Sequence, residues 1–112
     1  MQMRSLKAGD QVQAGYRGHQ SPNCFLGFTD AEQAHGTEPK FPTLRQVLAH
    51  YGAKSTKELD TRLAQRDRPY GFGVYAVFRD LEGGYVWTAY RFKNQWAVGT
   101  SADRLQLRPR EA

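Results

Sequence analysis

The sequence predicts an α+β fold, a small and strongly bent antiparallel sheet with a helical hairpin inserted after its second strand. Three observations predict it. Helical spacing and helix-capping signals are confined to the middle of the chain, while the segments on either side alternate at the strand period. Turn-forming clusters cut those flanks into five or six short strands. So many short strands in 112 residues cannot lie flat and half exposed without leaving adhesive edges, so the sheet is expected to curl on itself.

Taken in order, Gly9-Asp10 marks a turn ahead of Val12, Ala14 and Tyr16, whose alternation predicts a strand over residues 10–16. The loop-forming cluster Arg17 to Asn23, with Pro22, separates it from the apolar run Cys24, Phe25, Leu26, Gly27, Phe28, a second strand over 24–28. Residues 29–42 are polar and carry Gly36, Pro39 and Pro42, which predicts a surface loop. Leu44, Val47, Leu48 and Tyr51 then fall on one side of a helix over 43–51, entered at Pro42-Thr43 and stopped by Gly52. Ser55 followed by Glu58 has the spacing of a reciprocal capping box and starts a second helix over 56–66. Its apolar stripe is only Leu59 and Leu63, so it is expected at the periphery or against a partner. The last third reads as a meander of strands over 73–79, 85–92 and 95–99, with a tight Lys93-Asn94 hairpin. A short helical turn at 101–105 and a brief strand over 105–107 complete the chain.

The two ends carry short motifs, LKAGDQV at the start and WAVG leading through TSADR into LQL at the finish, that resemble those of SH3-like small barrels. The resemblance covers the barrel portions and not the helical insertion. It implies a binding module that uses aromatics and loops at one rim, and no chemistry.

A chain of 112 residues is one domain's worth, and no second domain is expected. The longest apolar run, Val74 to Phe78, is far below the roughly 20 residues needed to span a bilayer, and the first ten residues lack an apolar signal core. A cytoplasmic location without membrane contact is therefore expected. The single cysteine, Cys24, excludes an internal disulfide and a cysteine-based zinc site.

The sequence offers several candidate catalytic patterns. Cys24 with His19 or His35 lacks any local nucleophile signature, and Cys24 in its apolar run reads as core. His19, Asp30, Glu32 and His35 lack metal-ligand spacing, and His50 lies opposite the apolar stripe of its helix. GYRG, GFG and EGG lack the spacing of phosphate loops. The chain is therefore expected not to be an enzyme and to need no cofactor.

Binding is the better expectation. Tyr70, Phe72, Tyr75, Phe78, Tyr85, Trp87, Tyr90, Phe92 and Trp96 lie within 27 residues, interleaved with Arg79, Arg91 and Lys93. The segment Arg68 to Phe78 partly resembles an RNA-recognition strand motif, but Tyr70 and Val74 depart from it, and Gly71 and Gly73 are read as a bend. On the strand over 85–92, Tyr85, Trp87, Ala89 and Arg91 share one face, and the charge of Arg91 turns that set outward. The alternative is that the same rings fill the barrel or lie under the helices. The formal net charge is +5. It is concentrated in the last 28 residues, which hold five basic residues against two acidic ones. The expected function is a non-catalytic module binding nucleic acid through Tyr85, Trp87, Arg91, Lys93 and Arg104, with Arg108, Arg110 and the basic second helix beside them. A helix-turn-helix reading of the helix pair is disfavoured, because Glu58 and Asp60 would meet phosphates. The alternative function is an accessory or inhibitor protein that binds another protein through the acidic segment 29–38 or the thinly anchored second helix. The chain is expected to be a monomer, or a homodimer through edge pairing of its last strand.

Overall fold

A computed structural model describes residues 2–30, 39–65 and 73–110. Seven antiparallel strands form one sheet: β1 (Gln11–Tyr16), β2 (His19–Asp30), β3 (Val74–Asp80), β4 (Val86–Phe92), β5 (Gln95–Val98), β6 (Asp103–Arg104) and β7 (Gln106–Pro109). Their spatial order is β6-β5-β4-β3-β2-β1-β7. β6 and β7 are separated only by Leu105, so one kinked segment pairs with β5 through its first half and with β1 through its second. The Leu105 amide donates to the Trp96 carbonyl at the kink. The sheet is thereby a nearly closed small barrel, consistent at the level of the fold with an SH3-like barrel. The edge that the sequence leaves open for a second copy is largely taken up by the chain itself.

Two helices, α1 (Leu44–Tyr51) and α2 (Thr56–Ala64), are inserted between β2 and β3. The expected stripe is real, since Leu44, Val47, Leu59 and Leu63 are buried in the same core as Phe25, Phe28, Phe78 and Trp96. Both helices are capped, though not as the sequence suggests. The full reciprocal box belongs to α1: Thr43 Oγ1 accepts from the Gln46 amide, and the Gln46 side chain accepts from the Thr43 amide. At α2, Ser55 Oγ accepts from the Glu58 amide as expected, but the Glu58 carboxylate accepts from the Lys54 amide instead of Ser55. Tyr51 ties α1 to the barrel by donating its hydroxyl to the Gly73 carbonyl at 2.8 Å.

The strand boundaries differ from the sequence reading most at β2, expected over 24–28, and at the last strand, expected over 105–107 and found as β6 and β7 on either side of Leu105. β2 begins at His19 rather than at residue 24, because the turn after β1 is only Arg17-Gly18, both with positive φ as a two-residue hairpin turn requires. Pro22 is tolerated within β2 because pairing with β3 starts one residue later, at Asn23, so its missing N–H faces beyond the end of β3. Thr29 and Asp30 belong to β2, while the acidic residues Glu32 and Glu38 lie outside the described residues, as do Tyr70, Gly71 and Phe72. At 99–102 the chain makes a turn rather than a helical turn, and enters β6 directly.

The apolar run after Pro22 fails to alternate because β2 bulges between Phe25 and Gly27. Phe25 and Phe28, three residues apart, would otherwise face opposite sides of the sheet. The bulge turns both inward, where their rings meet edge to face at 5.0 Å and neither is exposed. Gly27 takes φ +125 there, with Pro39 and Phe41 packed where a side chain would stand.

Candidate functional site

The inward set of β4 is Trp87, Ala89 and Arg91, the reverse of the outward orientation expected from the charge of Arg91. Ala89 is fully buried, and Arg91 is 7% exposed. Its charge is satisfied inside: Nε and Nη2 donate to the two Asp60 carboxylate oxygens of α2 at 2.7 and 2.8 Å. The guanidinium also lies 5.4 Å from the ring centroid of Trp96, its cross-strand neighbour on β5. Arg91 therefore fastens the helix pair to the barrel. Asp60 fixes the orientation of α2, and Leu59 and Leu63 are buried by it, so the second helix is anchored more firmly than its two-residue stripe suggests.

The five residues expected to form one platform divide between the two ends of β4. Six residue steps of roughly 3.3 Å put Tyr85 and Arg91 about 20 Å apart. At the first end the inward faces of the β1–β2 hairpin and of β4 continue past the closed barrel and open a mouth of about 850 Å³. Tyr16, His19, Tyr85 and Trp87 line it together with Arg17. Trp87 is the floor, stacked at 4.7 Å and 15° on the buried Phe78, with its indole N–H donating to Asn23 Oδ1 at 2.7 Å. Tyr85 and Tyr16 are the walls, 59% and 41% exposed. Arg17 spans the mouth to Asp103 at 3.0 Å, a solvated pair of small energetic worth.

Asp80 holds the turn that presents Tyr85. The Gly83 amide, the Ser21 hydroxyl, the Glu82 amide and the Tyr85 hydroxyl, in that order of effect, keep its carboxyl below the ordinary aspartate value despite some burial. The same carboxylate, together with burial, pushes the Tyr85 hydroxyl up, so the ring stays neutral. A depressed folded-state pKa contributes stability above the unfolded value and loses it as pH falls through the folded one. Wild-type protein is accordingly expected to lose more stability than Asp80→Asn between about pH 5 and about pH 2. Urea denaturation at the two ends of that window checks it, and parallel losses would refute it.

At the other end, Arg4, Arg91, Lys93 and Arg104 line a pocket of about 490 Å³ with Trp96, under the helix pair. A third depression joins the two. It shares Gly18 and Gln20 with the mouth and Arg104, Leu105 and Leu107 with the basic pocket, and it adds Arg108. Through these shared residues the three depressions succeed one another as a groove past the β6–β7 segment, rings at one end and cations along the rest. Among the described residues six cations line it, Arg4, Arg17, Arg91, Lys93, Arg104 and Arg108, and no carboxylate does. Arg17 and Arg91 are paired to aspartates, whereas Arg4, Lys93, Arg104 and Arg108 form no ion pair among the described residues. Arg108 is steadied by the Gln20 side chain.

Sequence reasoning missed Tyr16, Arg17, His19 and Arg4. The Arg17-Gly18 turn was the available signal, since it brings Tyr16 opposite His19, but nothing local places that tip against Tyr85. Cys24 is half-buried on the outward side of β2, and His50 is exposed with its ring against Phe41. Among the described residues no three His, Cys, Asp or Glu side chains gather to hold a metal, and no helix is long and apolar enough to cross a membrane. Comparison of the chain with protein-family models, with curated proteins and with solved structures finds no match in any of the three.

Proposed function

We propose that this domain is a non-catalytic module that binds single-stranded nucleic acid along the groove. The observation that carries the reading is four lining cations free of ion pairs and no lining carboxylate among the described residues, next to a mouth walled by Tyr16 and Tyr85 over Trp87. Cations that track a phosphate chain, joined to rings on which bases stack, are the two components of sequence-tolerant single-strand binding. A duplex would leave the rings idle, because its bases are already stacked and paired. A peptide ligand would find the rings but would meet cations with no complementary charge of its own unless it were acidic.

The test is a titration with short single-stranded oligonucleotides, read by the fluorescence of Trp87. Four phosphate charges neutralised by Arg4, Lys93, Arg104 and Arg108 give a slope of about −3 for log K against log salt, so a fourfold rise in salt lowers affinity about 50-fold. Tyr85→Ala is expected to weaken binding about tenfold at every salt concentration and leave the slope unchanged. Absence of quenching at low salt, or binding indifferent to salt, overturns the proposal and directs attention to a protein partner.

A further inference from the structure

We infer that the end of the groove beneath the helices is a pocket for a terminal phosphate, so that the strand is held by a phosphorylated end. This rests on the nucleic-acid reading above and adds which part of the ligand goes where. Besides its cations, Gln2, Met3, Leu44 of α1 and Thr56 of α2 line the pocket, and none of these lines the mouth. A strand entering along β6–β7 meets the helical layer there and stops, so the group that reaches the pocket is an end rather than a continuing backbone.

The charge in the pocket fits that group. Arg91 is largely neutralised by Asp60, which leaves Arg4, Lys93 and Arg104 around a space with no carboxylate in its lining among the described residues. A phosphodiester carries one negative charge, but a phosphate monoester carries about 1.5 to 2 near neutral pH, with three acceptor oxygens. Three cations exceed what a diester needs and match a monoester.

The donor geometry points the same way. Asp60 occupies Nε and Nη2 of Arg91 and so fixes the plane of the guanidinium, while Nη1 makes no hydrogen bond among the described residues. This side chain, only 8% exposed, is one of the residues that line the pocket, held in place by Asp60. Arg4, Lys93 and Arg104 line the same pocket from exposed positions on long, adjustable side chains. A fixed, buried donor surrounded by adjustable cations binds a compact dianion with little reorganisation.

The experiment compares one short single-stranded oligonucleotide with a phosphate at its 5′ end, at its 3′ end or at neither, at one low salt concentration. A hydroxyl-ended strand one nucleotide longer controls for charge. A phosphate at one of the two ends is expected to raise affinity about tenfold, more than the extra nucleotide does. That gain should fall to near unity in the double variant Arg4→Gln/Lys93→Gln and persist in Tyr85→Ala. Equal affinities for phosphorylated and hydroxyl ends, or a gain matched by the longer strand, overturn the end pocket and leave the groove reading intact. If no strand binds in any form, both fall together.

Discussion

Arg91→Ala is expected to destabilise the domain by about 3 kcal/mol, because it leaves the Asp60 carboxylate largely buried without its cation. For a domain of this size that corresponds to a fall in melting temperature of ~15 °C. The loss comes from stranding a charge rather than from deleting a favourable one, which gives the prediction a second arm. Asp60→Leu combined with Arg91→Met removes both charges and keeps apolar volume against Trp96, and it should restore most of the stability. Arg91→Lys should fall between, since an ammonium cannot reproduce the two-point contact with Asp60. Urea denaturation of the three variants decides the matter. A single-variant loss below about 1 kcal/mol would mean that α2 is held by Leu59 and Leu63 alone.

Gly15→Ala is the second large effect. Gly15 has an ordinary negative φ, so the requirement there is room: an added Cβ would stand 1.8 Å from the His19 carbonyl oxygen and 2.9 Å from its carbon. Both are backbone atoms of the paired strand, and they cannot retreat without opening the β1–β2 hairpin. A cost of about 3 kcal/mol is expected, with nucleic-acid binding reduced as Tyr16 and His19 leave the mouth. Gly18, three residues on, has the opposite requirement. Its φ is +79 and nothing lies within 4 Å of an added Cβ, so Gly18→Asn should cost about 1 kcal/mol or less. Melting both variants tests the contrast, and Gly15→Ala no worse than Gly18→Asn would refute it.

Much of the architecture is legible in the sequence because its signals are local. Leu44, Val47, Leu48 and Tyr51 sit at helical spacing, and Lys93-Asn94 takes positive φ at both positions as a two-residue hairpin demands. The bent sheet follows from counting short strands against available core. What the sequence conceals depends on partners far along the chain. Arg91 reads as solvent-facing because its charge is visible in the sequence and its partner, 31 residues earlier, is not marked as one. That single misreading reverses the whole face of β4. The rings of the candidate site are affected differently: Tyr85 and Trp87 are named from the sequence, though on an outward platform, whereas Tyr16 reaches them only through the path of the sheet. The Phe25 and Phe28 pair is obscured by a bulge that one glycine permits.

Closure of the barrel by the segment Asp103 to Pro109 has a kinetic consequence. Val12 pairs with Pro109, nearly a whole chain length away, whereas each of the other ladders joins strands closer in sequence. Contacts of such long range carry the largest loop-closure entropy and form slowly. That segment also supplies Arg104 and Arg108 and lines the basic pocket and the depression that leads from it to the mouth. A refolding intermediate with the β1–β2 hairpin, the meander and the helices formed but the seam open would hold every ring of the mouth and yet lack the track between mouth and pocket. Ligand should therefore slow unfolding of the closed barrel while leaving the rate of its formation unchanged.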